Sequence, residues 1–269
     1  MRALPDQTIL VTGATDGLGR AVARELADEG ATLLLHGRDQ QRLGEVADEL
    51  GAARTYRADL ASLAEVRAMA SELLDNEQEL HGLVNNAGIG TTLPEGRQES
   101  RDGYELRFAV NYLSHYLLTR LLLPLIERSA PARIVNVSSA GQWAIDFDDV
   151  MLEHGYQAFR AYAQSKLAQV MFTIDLADEL DGDGVTVNCL HPATFMPTKM
   201  VFAAGGSAAS TLEEGVEATA RLVTDERLDD VTGRYFNGLQ DARADAQAYD
   251  AAARARLREL SDRLTGLAH

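Results

Sequence analysis

The chain carries 269 residues, enough for one large α/β domain or two small ones and for a substantial buried core. Its hydrophobic share of 46% and charged share of 25% are those of an ordinary globular protein, and a net charge of −16 argues against nucleic acid and anionic membrane surfaces as partners. The single cysteine, Cys189, excludes an internal disulfide, and without a signal-like leader or an apolar stretch of about 18 residues the protein is expected to be cytoplasmic with no membrane span.

Thr8-Ile9-Leu10-Val11 is a short apolar run that predicts a buried strand. It leads into Thr12-Gly13-Ala14-Thr15-Asp16-Gly17-Leu18-Gly19, and a helix is expected from about Gly17 to Glu29, with Leu18, Val22 and Leu26 at spacing four. Strand, glycine turn and helix are the setting of a dinucleotide fingerprint. The glycines let the backbone turn tightly and approach a pyrophosphate, which then sits on the helix N-terminus. Gly13, Thr15, Asp16, Gly17, Leu18 and Gly19 are therefore candidate cofactor-binding residues. The spacing is G-x-x-x-G-x-G rather than G-x-G-x-x-G, so on this stretch alone an ordinary glycine-rich loop competes with the cofactor reading.

Thr32 to His36 predicts a second strand, followed by Gly37-Arg38-Asp39. In dinucleotide-binding units the residue ending this strand faces the adenosine ribose. Gly37 has no carboxylate for a 2′-hydroxyl, whereas Arg38 offers a fork suited to a 2′-phosphate, which favours NADP(H) over NAD(H). His36 is read as structural. A helix follows over about Gln40–Leu50, then a third strand over 53–58 that ends in Asp59-Leu60, both cofactor candidates. Asp59 can accept from an adenine amino group or cap the next helix, where Ser62 is also well placed; that helix runs to about Asn76. Leu80 to Val84 predicts the fourth strand. It closes with Asn85-Asn86-Ala87-Gly88, where Asn86, Ala87 and Gly88 would leave room for a flat cofactor, although a plain turn would use the same residue types.

A long helix from about Tyr104 to Ile126 carries Asn111, an apolar stripe and His115, the last read as packed or solvated. The fifth strand, from Arg133, ends in Ser138-Ser139. Residues 140–161 read as a loop bordering a pocket, with Trp143 among its apolar members and Asp146, Asp148 and Asp149 as a solvated or capping cluster rather than a metal site. The next helix, to about Leu180, carries Tyr162 and Lys166 four residues apart, on one face. A phenol titrates near pH ~10, and a cation about 4 Å away contributes roughly 4 kcal/mol at an effective dielectric near 20, enough to make Tyr162 a usable acid–base near neutrality. A sixth strand over Val185–Leu190 leads to His191-Pro192-Ala193-Thr194, with Pro192 and Thr194 as further cofactor candidates. Residues 195–210, with Phe195 and Met196, read as a mobile lid with an apolar face. A helix over Thr211–Thr224, a short last strand at 233–236 and a helical tail over Ala242–Leu264 complete the chain.

Strands and helices alternate, which predicts an α/β, single-domain Rossmann fold: a doubly wound parallel sheet of about seven strands. In such sheets the ligand binds at the carboxyl ends of the strands, where the residues singled out above converge.

In family order from residue 8 to about 198, Thr12 to Gly19, Asn85 to Gly88, Asn111, Ser139 and Tyr162-x-x-x-Lys166 resemble the short-chain dehydrogenase/reductases. The long 140–161 segment and Thr232 to Phe236 are similar to the retinol-dehydrogenase-like and protochlorophyllide-reductase-like branch. The resemblance implies hydride transfer between a nicotinamide and a carbonyl or alcohol carbon of a small-molecule substrate. In it Tyr162 would be the acid–base, Lys166 would lower its pKa and hold the nicotinamide ribose, and Ser139 would bond the substrate oxygen. Asn111 would hold a helix distortion and a proton-relaying water. Trp143, Phe195 and Met196, with Ser139 and Tyr162, would line an apolar substrate site. The chain departs from the pattern at Pro192-Ala193, where the family usually has Pro-Gly, and at Asp16, where some NADP-using members carry a basic residue, which leaves Arg38 as the main phosphate anchor. The family often forms homodimers or homotetramers through the two long helices. The competing function is a non-catalytic NADP(H)-binding regulator on the same fold.

Overall fold

The computed structural model describes residues 3–51, 54–91, 96–203 and 205–267. Its strands are β1 (Thr8–Val11), β2 (Thr32–Gly37), β3 (Arg54–Arg57), β4 (Gly82–Asn85), β5 (Ala132–Val137), β6 (Val185–His191), β7 (Tyr235–Asn237) and β8 (Gln240–Ala242). The helices are α1 (Gly17–Asp28), α2 (Gln40–Leu50), α3 (Leu63–Asn76), α4 (Ser114–Arg128), α5 (Ala158–Glu179), α6 (Lys199–Ala203), α7 (Leu212–Thr224) and α8 (Ala251–Thr265). The sheet order is β3-β2-β1-β4-β5-β6-β7-β8. The first seven strands pair in parallel and only the β7–β8 edge is antiparallel.

Strand side chains alternate between two cores, as a two-residue period requires. Leu10, Leu34, Leu83 and Ile134 face α3, α4 and α5; Ile9, Val11, Leu35, Val84 and Val135 face α1, α2 and α7. Cys189 is buried in the first of these cores, where burial pushes its thiol up to about 12. Among the described residues no helix is long and apolar enough to cross a membrane.

Four sequence expectations shift. The expected "about seven" strands become seven parallel ones plus β8, which returns through a two-residue Gly238-Leu239 turn with Gly238 at φ +57°. The third strand is Arg54–Arg57, and position 53 of the expected range lies outside the described residues. The helix expected from Tyr104 begins at Leu106, because the Glu105 carboxylate accepts from the Phe108 N–H (2.7 Å) and takes the capping position. The tail is not one helix. Asp245 caps a short 3₁₀ turn at Ala246–Tyr249, and Asp250 caps α8 by accepting from Ala252 and Ala253 N–H.

Helix α8 lies across α4 and α5, the two helices through which pairing with another chain was expected. Tyr112 bonds Ser261 (2.7 Å), Tyr116 donates to the buried Asp262 (2.6 Å), and Arg258 pairs with Asp175 (3.0 Å). Leu257 is buried beneath it. Tyr116→Phe removes one donor from a buried carboxylate and is expected to lower stability by about 1–3 kcal/mol, read as a lower denaturation midpoint with an unchanged slope in urea.

Candidate active site

At the carboxyl end of β1 the chain turns under conditions that only glycine meets. Gly13 sits at φ +68°, and a Cβ there would lie 2.9 Å from Ala87 Cα; one at Gly19 would lie 2.3 Å from both Gly13 O and Asn86 Nδ2. The turn is therefore closed directly onto the Asn86-Ala87 segment after β4. Thr12 completes the join: its hydroxyl accepts from Asn86 N–H (2.9 Å) and Ala87 N–H (3.0 Å), and Asn86 Nδ2 donates back to Thr12 O (2.8 Å). What remains is a glycine-lined backbone cradle at the N-terminus of α1, the kind of turn that a dinucleotide's pyrophosphate approaches. Thr15 and Gly17 lie in this turn; Leu18 turns its side chain into the core. Asp16 caps α1, accepting from Gly17 N–H (2.8 Å), and pairs with Lys199. That pairing, with the Gly17 bond, holds its carboxyl below the usual range.

Two buried histidines brace the cradle. His36 Nδ1 accepts from Gly13 N–H (3.2 Å) and its Nε2 bonds Ala58 O (3.2 Å); His115 bonds Thr12 Oγ1 (3.0 Å) and Asn111 O (3.0 Å). Burial pushes their pKa values down to about 4 and about 3, so both are neutral struts. Arg38 is exposed at the end of β2, and among the described residues no acid pairs with it. Ser62 takes the cap of α3, while Asp59 folds back to accept from Ala61 N–H (3.0 Å) and pairs with Arg101 (3.6 Å); Leu60 is in the core. Pro192 is buried at the end of β6, and Thr194 is exposed and bonded to His191 Nε2 (3.0 Å).

The second half of the site is built on α5 and on the turn before α4. Residues Phe108–Leu113 form a π-helical turn, and Asn111 is inside it. The wider turn aims Asn111 sideways, where its side chain pairs with both backbone groups of Ile89 (2.8 and 3.1 Å) and donates to Ser165 Oγ (2.9 Å). The loop after β4 is thereby tied to the helix that carries Tyr162 and Lys166. Arg107 and Glu105, both fully buried, add a second tie: Arg107 Nε donates to Gly90 O (2.9 Å), and both contact the Tyr156 hydroxyl. Ser138 points away and donates to Lys166 O (2.7 Å), whereas Ser139 lies on the cleft side, its hydroxyl accepting from Gly141 N–H (3.0 Å).

Lys166 is buried at 5% exposure and donates to Val137 O (2.8 Å) and Gln169 Oε1 (2.9 Å). Gly88 borders both groups: a Cβ there would stand in ordinary contact with Nζ, at 3.6 Å, and tightly against Asn111 Oδ1, at 3.2 Å. Burial acts against the effect that spacing alone predicts. The ammonium stands 5.8 Å from the centre of the Tyr162 ring, with its hydrogen bonds directed elsewhere. Burial pushes the Tyr162 phenol up, opposed by a hydrogen bond from Ser139, and pushes the Lys166 ammonium down to about 7. Burial disfavours the very charge that spacing alone would bring to bear on the phenol.

Apolar side chains are exposed on the segments that follow β5 and β6. Trp143, Phe159, Phe195 and Phe202 are each more than half exposed, and Phe159 stands beside Ser139 across Gly141. Phe195 occupies a left-handed conformation at φ +50°. Met196 instead turns toward α1 and α7, its sulfur over Gly215. The expected lid range includes the short helix α6, and position 204 of that range lies outside the described residues. The acidic cluster serves local caps and ion pairs: Asp149 accepts from Glu153 and His154 N–H, Asp146 pairs with Arg160, and Asp148 with Arg256. Phe159, Thr12 and Gln169 were not among the expected site residues. Phe159 was visible as an aromatic three residues before Tyr162; Thr12 and Gln169 act through partners distant in sequence or one turn along the helix.

The short chain dehydrogenase family matches residues 7–205 of the chain. Human retinol dehydrogenase 13 is 37% identical over 292 residues, covering 98% of this chain and 86% of that protein. A crystal structure of a putative uncharacterized protein from Mycobacterium Paratuberculosis superimposes with a TM-score of 0.78 at 30% identity, covering 97% of this chain and 94% of that one. A putative short chain dehydrogenase from Escherichia coli CFT073, solved with NADPH, gives a TM-score of 0.71 at 28% identity over 88% of this chain and 98% of that one. Glycine cradle, Asn111 turn and Tyr162/Lys166 helix thus occur together in a chain that matches one family over most of its length, and the protein is a short-chain dehydrogenase, an NAD(P)-binding oxidoreductase acting on alcohol and carbonyl groups.

Proposed function

We propose that the protein is an NADP(H)-dependent oxidoreductase for a lipophilic carbonyl or alcohol substrate, with Tyr162 as its acid–base. The observation that carries this reading is the meeting of Ser139 and Tyr162 at the end of β5, beside a buried Lys166 and facing the cleft that the glycine cradle opens. When bound, the nicotinamide supplies or accepts the hydride. The chain's own part is to hold the dinucleotide at Gly13–Gly19 and Asn86–Gly88, with Arg38 at the adenosine end. The Ser139 hydroxyl holds the substrate oxygen and the Tyr162 hydroxyl delivers or takes its proton. Lys166 and Asn111 stand behind the phenol. An anionic ligand at the strand ends favours the charged form of Lys166, which in turn favours the phenolate.

The exposed Trp143, Phe159, Phe195 and Phe202 support a lipophilic substrate, as do relatives named for retinol. The exposed Arg38, with no acidic partner among the described residues, supports NADP(H), as does the NADPH complex of the Escherichia coli neighbour. A homodimer or homotetramer through α4 and α5 has to accommodate α8. Beside α8 a charged groove of about 770 Å³ stays open, lined by Arg120, Glu127, Asp175, Asp178, Glu179 and Arg258 among others, and it contains none of the site residues.

Three outcomes test the reading. Tyr162→Phe is expected to bind NADPH nearly as well as the parent and to lose at least ~10² in turnover of lipophilic ketones and alcohols, followed by NADPH absorbance; near-normal turnover would sink the assigned role. Arg38→Asp is expected to weaken NADPH far more than NADH, and equal losses would overturn the cofactor preference. The third concerns Lys166. Between about pH 7 and the ordinary lysine pKa near ~10.4, the unfolded chain keeps a proton that the folded one has released, so stability rises with pH by up to ~1.4 kcal/mol per unit. Urea titrations at pH 7, 8 and 9 should show the parent gaining on Lys166→Met, which lacks this term; a constant difference would mean that the buried lysine stays charged.

A further inference from the structure

The segment that runs from β6 into α6 is seated on glycines from three different elements. Met196 Sδ rests over Gly215 of α7, where a Cβ would come within 2.2 Å. Thr198 Cγ2 stands 3.4 Å from the Cβ position of Gly17, in the dinucleotide turn, and Met200 Cγ is 2.7 Å from that of Gly90, in the loop after β4. The strap therefore crosses the mouth of the cradle. Between two of its seats Lys199 reaches Asp16, 183 residues away in the chain. Both partners of this pair are largely open to water, with side-chain exposures of 74% and 45%.

Asp16 is an awkward residue for a phosphate site. It already places a carboxylate at the α1 N-terminus, where the helix dipole and free N–H groups would otherwise receive the ligand's charge. The turn is also pressed against the end of β2, since a Cβ at Gly37 would lie 2.6 Å from Thr15 Cγ2. Asp16, next to Thr15, therefore lies toward the end of β2, where the adenosine ribose of a dinucleotide is expected, and the Arg42 guanidinium acts on its carboxylate. With Lys199 in place the Asp16 charge is balanced. Without it, one acid opposes an incoming polyanion.

We propose that Lys199 sets dinucleotide affinity through Asp16: the strap brings a cation that neutralises the turn's own carboxylate, so that the cradle accepts a phosphate-rich cofactor when the strap is seated. The proposal rests on the reading that the glycine turn receives NADP(H). It makes Lys199 a positioning residue rather than a catalytic one. The same strap carries the exposed Phe195, Met200 and Phe202. A substrate that seats it therefore raises cofactor affinity, and by linkage the cofactor raises substrate affinity equally.

The test is a double-mutant cycle read by calorimetric titration of the full chain with NADPH and NADH at low and high salt. Asp16→Asn keeps a capping side chain and removes the charge. Lys199→Ala is expected to weaken NADPH about 10-fold and NADH only about 2- to 3-fold, because the 2′-phosphate adds nearly two charges, and both losses shrink at ~0.5 M salt. Asp16→Asn is expected to bind NADPH at least as tightly as the parent, and Lys199→Ala on that background to cost less than about 2-fold. An equal loss on both backgrounds, or no loss in Lys199→Ala while the parent binds NADPH normally, overturns the proposal and leaves the function reading standing. A parent chain that binds neither dinucleotide overturns both.

Discussion

The site is arranged around one expensive requirement: an amine must be kept inside the protein. Lys166 exchanges water for two acceptors, Val137 O and Gln169 Oε1, and two hydrogen bonds do not replace full solvation, so its charged form is disfavoured. Neighbouring choices follow from that. Ser138 turns inward to bond the Lys166 backbone and leaves Ser139 alone on the cleft side. Asn111 fixes the helix from the other side through Ser165. Burial disfavours the charged form of this lysine, so any charged neighbour or ligand acts on it strongly.

The π-helical turn at Phe108–Leu113 serves the same end by geometric means. An α-helix would direct position 111 along its own face; one extra residue in the turn rotates it outward to pair with the Ile89 backbone. That pairing orders the loop after β4, to which Arg107 adds its bond to Gly90 O. The loop after β4 and the helix that carries Tyr162 and Lys166 are therefore held together by buried polar side chains.

Much of this was legible in the chain because parallel strands announce themselves as short apolar runs and their ends carry the chemistry. Gly13 to Gly19, Asn86, Asn111, Ser139, Tyr162 and Lys166 were each found at a strand end or on the helix between. What escaped was long-range or electrostatic. Spacing placed Tyr162 and Lys166 on one face but could not show that burial would raise one pKa and lower the other. His36 and His115 could be expected to pack, yet not that they would brace Thr12 and Gly13. The tail was misread because its alanine-rich composition suggested unbroken helix, although Asp245 and Asp250 were both cap residues and Asn237-Gly238 a turn signal. The Asp16–Lys199 pair joins segments 183 residues apart, and no local pattern announces it.

Helix α8 carries a consequence for the order in which the molecule can be completed. It is held by residues made long before it: Tyr104 bonds Leu264 O, Tyr112 bonds Ser261, Tyr116 bonds Asp262, and Arg67 bonds Thr265 O, at separations of 146 to 198 residues. During synthesis the tyrosine face of the preceding helices must wait for its cover. A nascent chain lacking α8 presents aromatic rings and buried-type polar groups together, a surface inviting to holding chaperones and to other nascent copies. Sealing that face is among the last acts of folding.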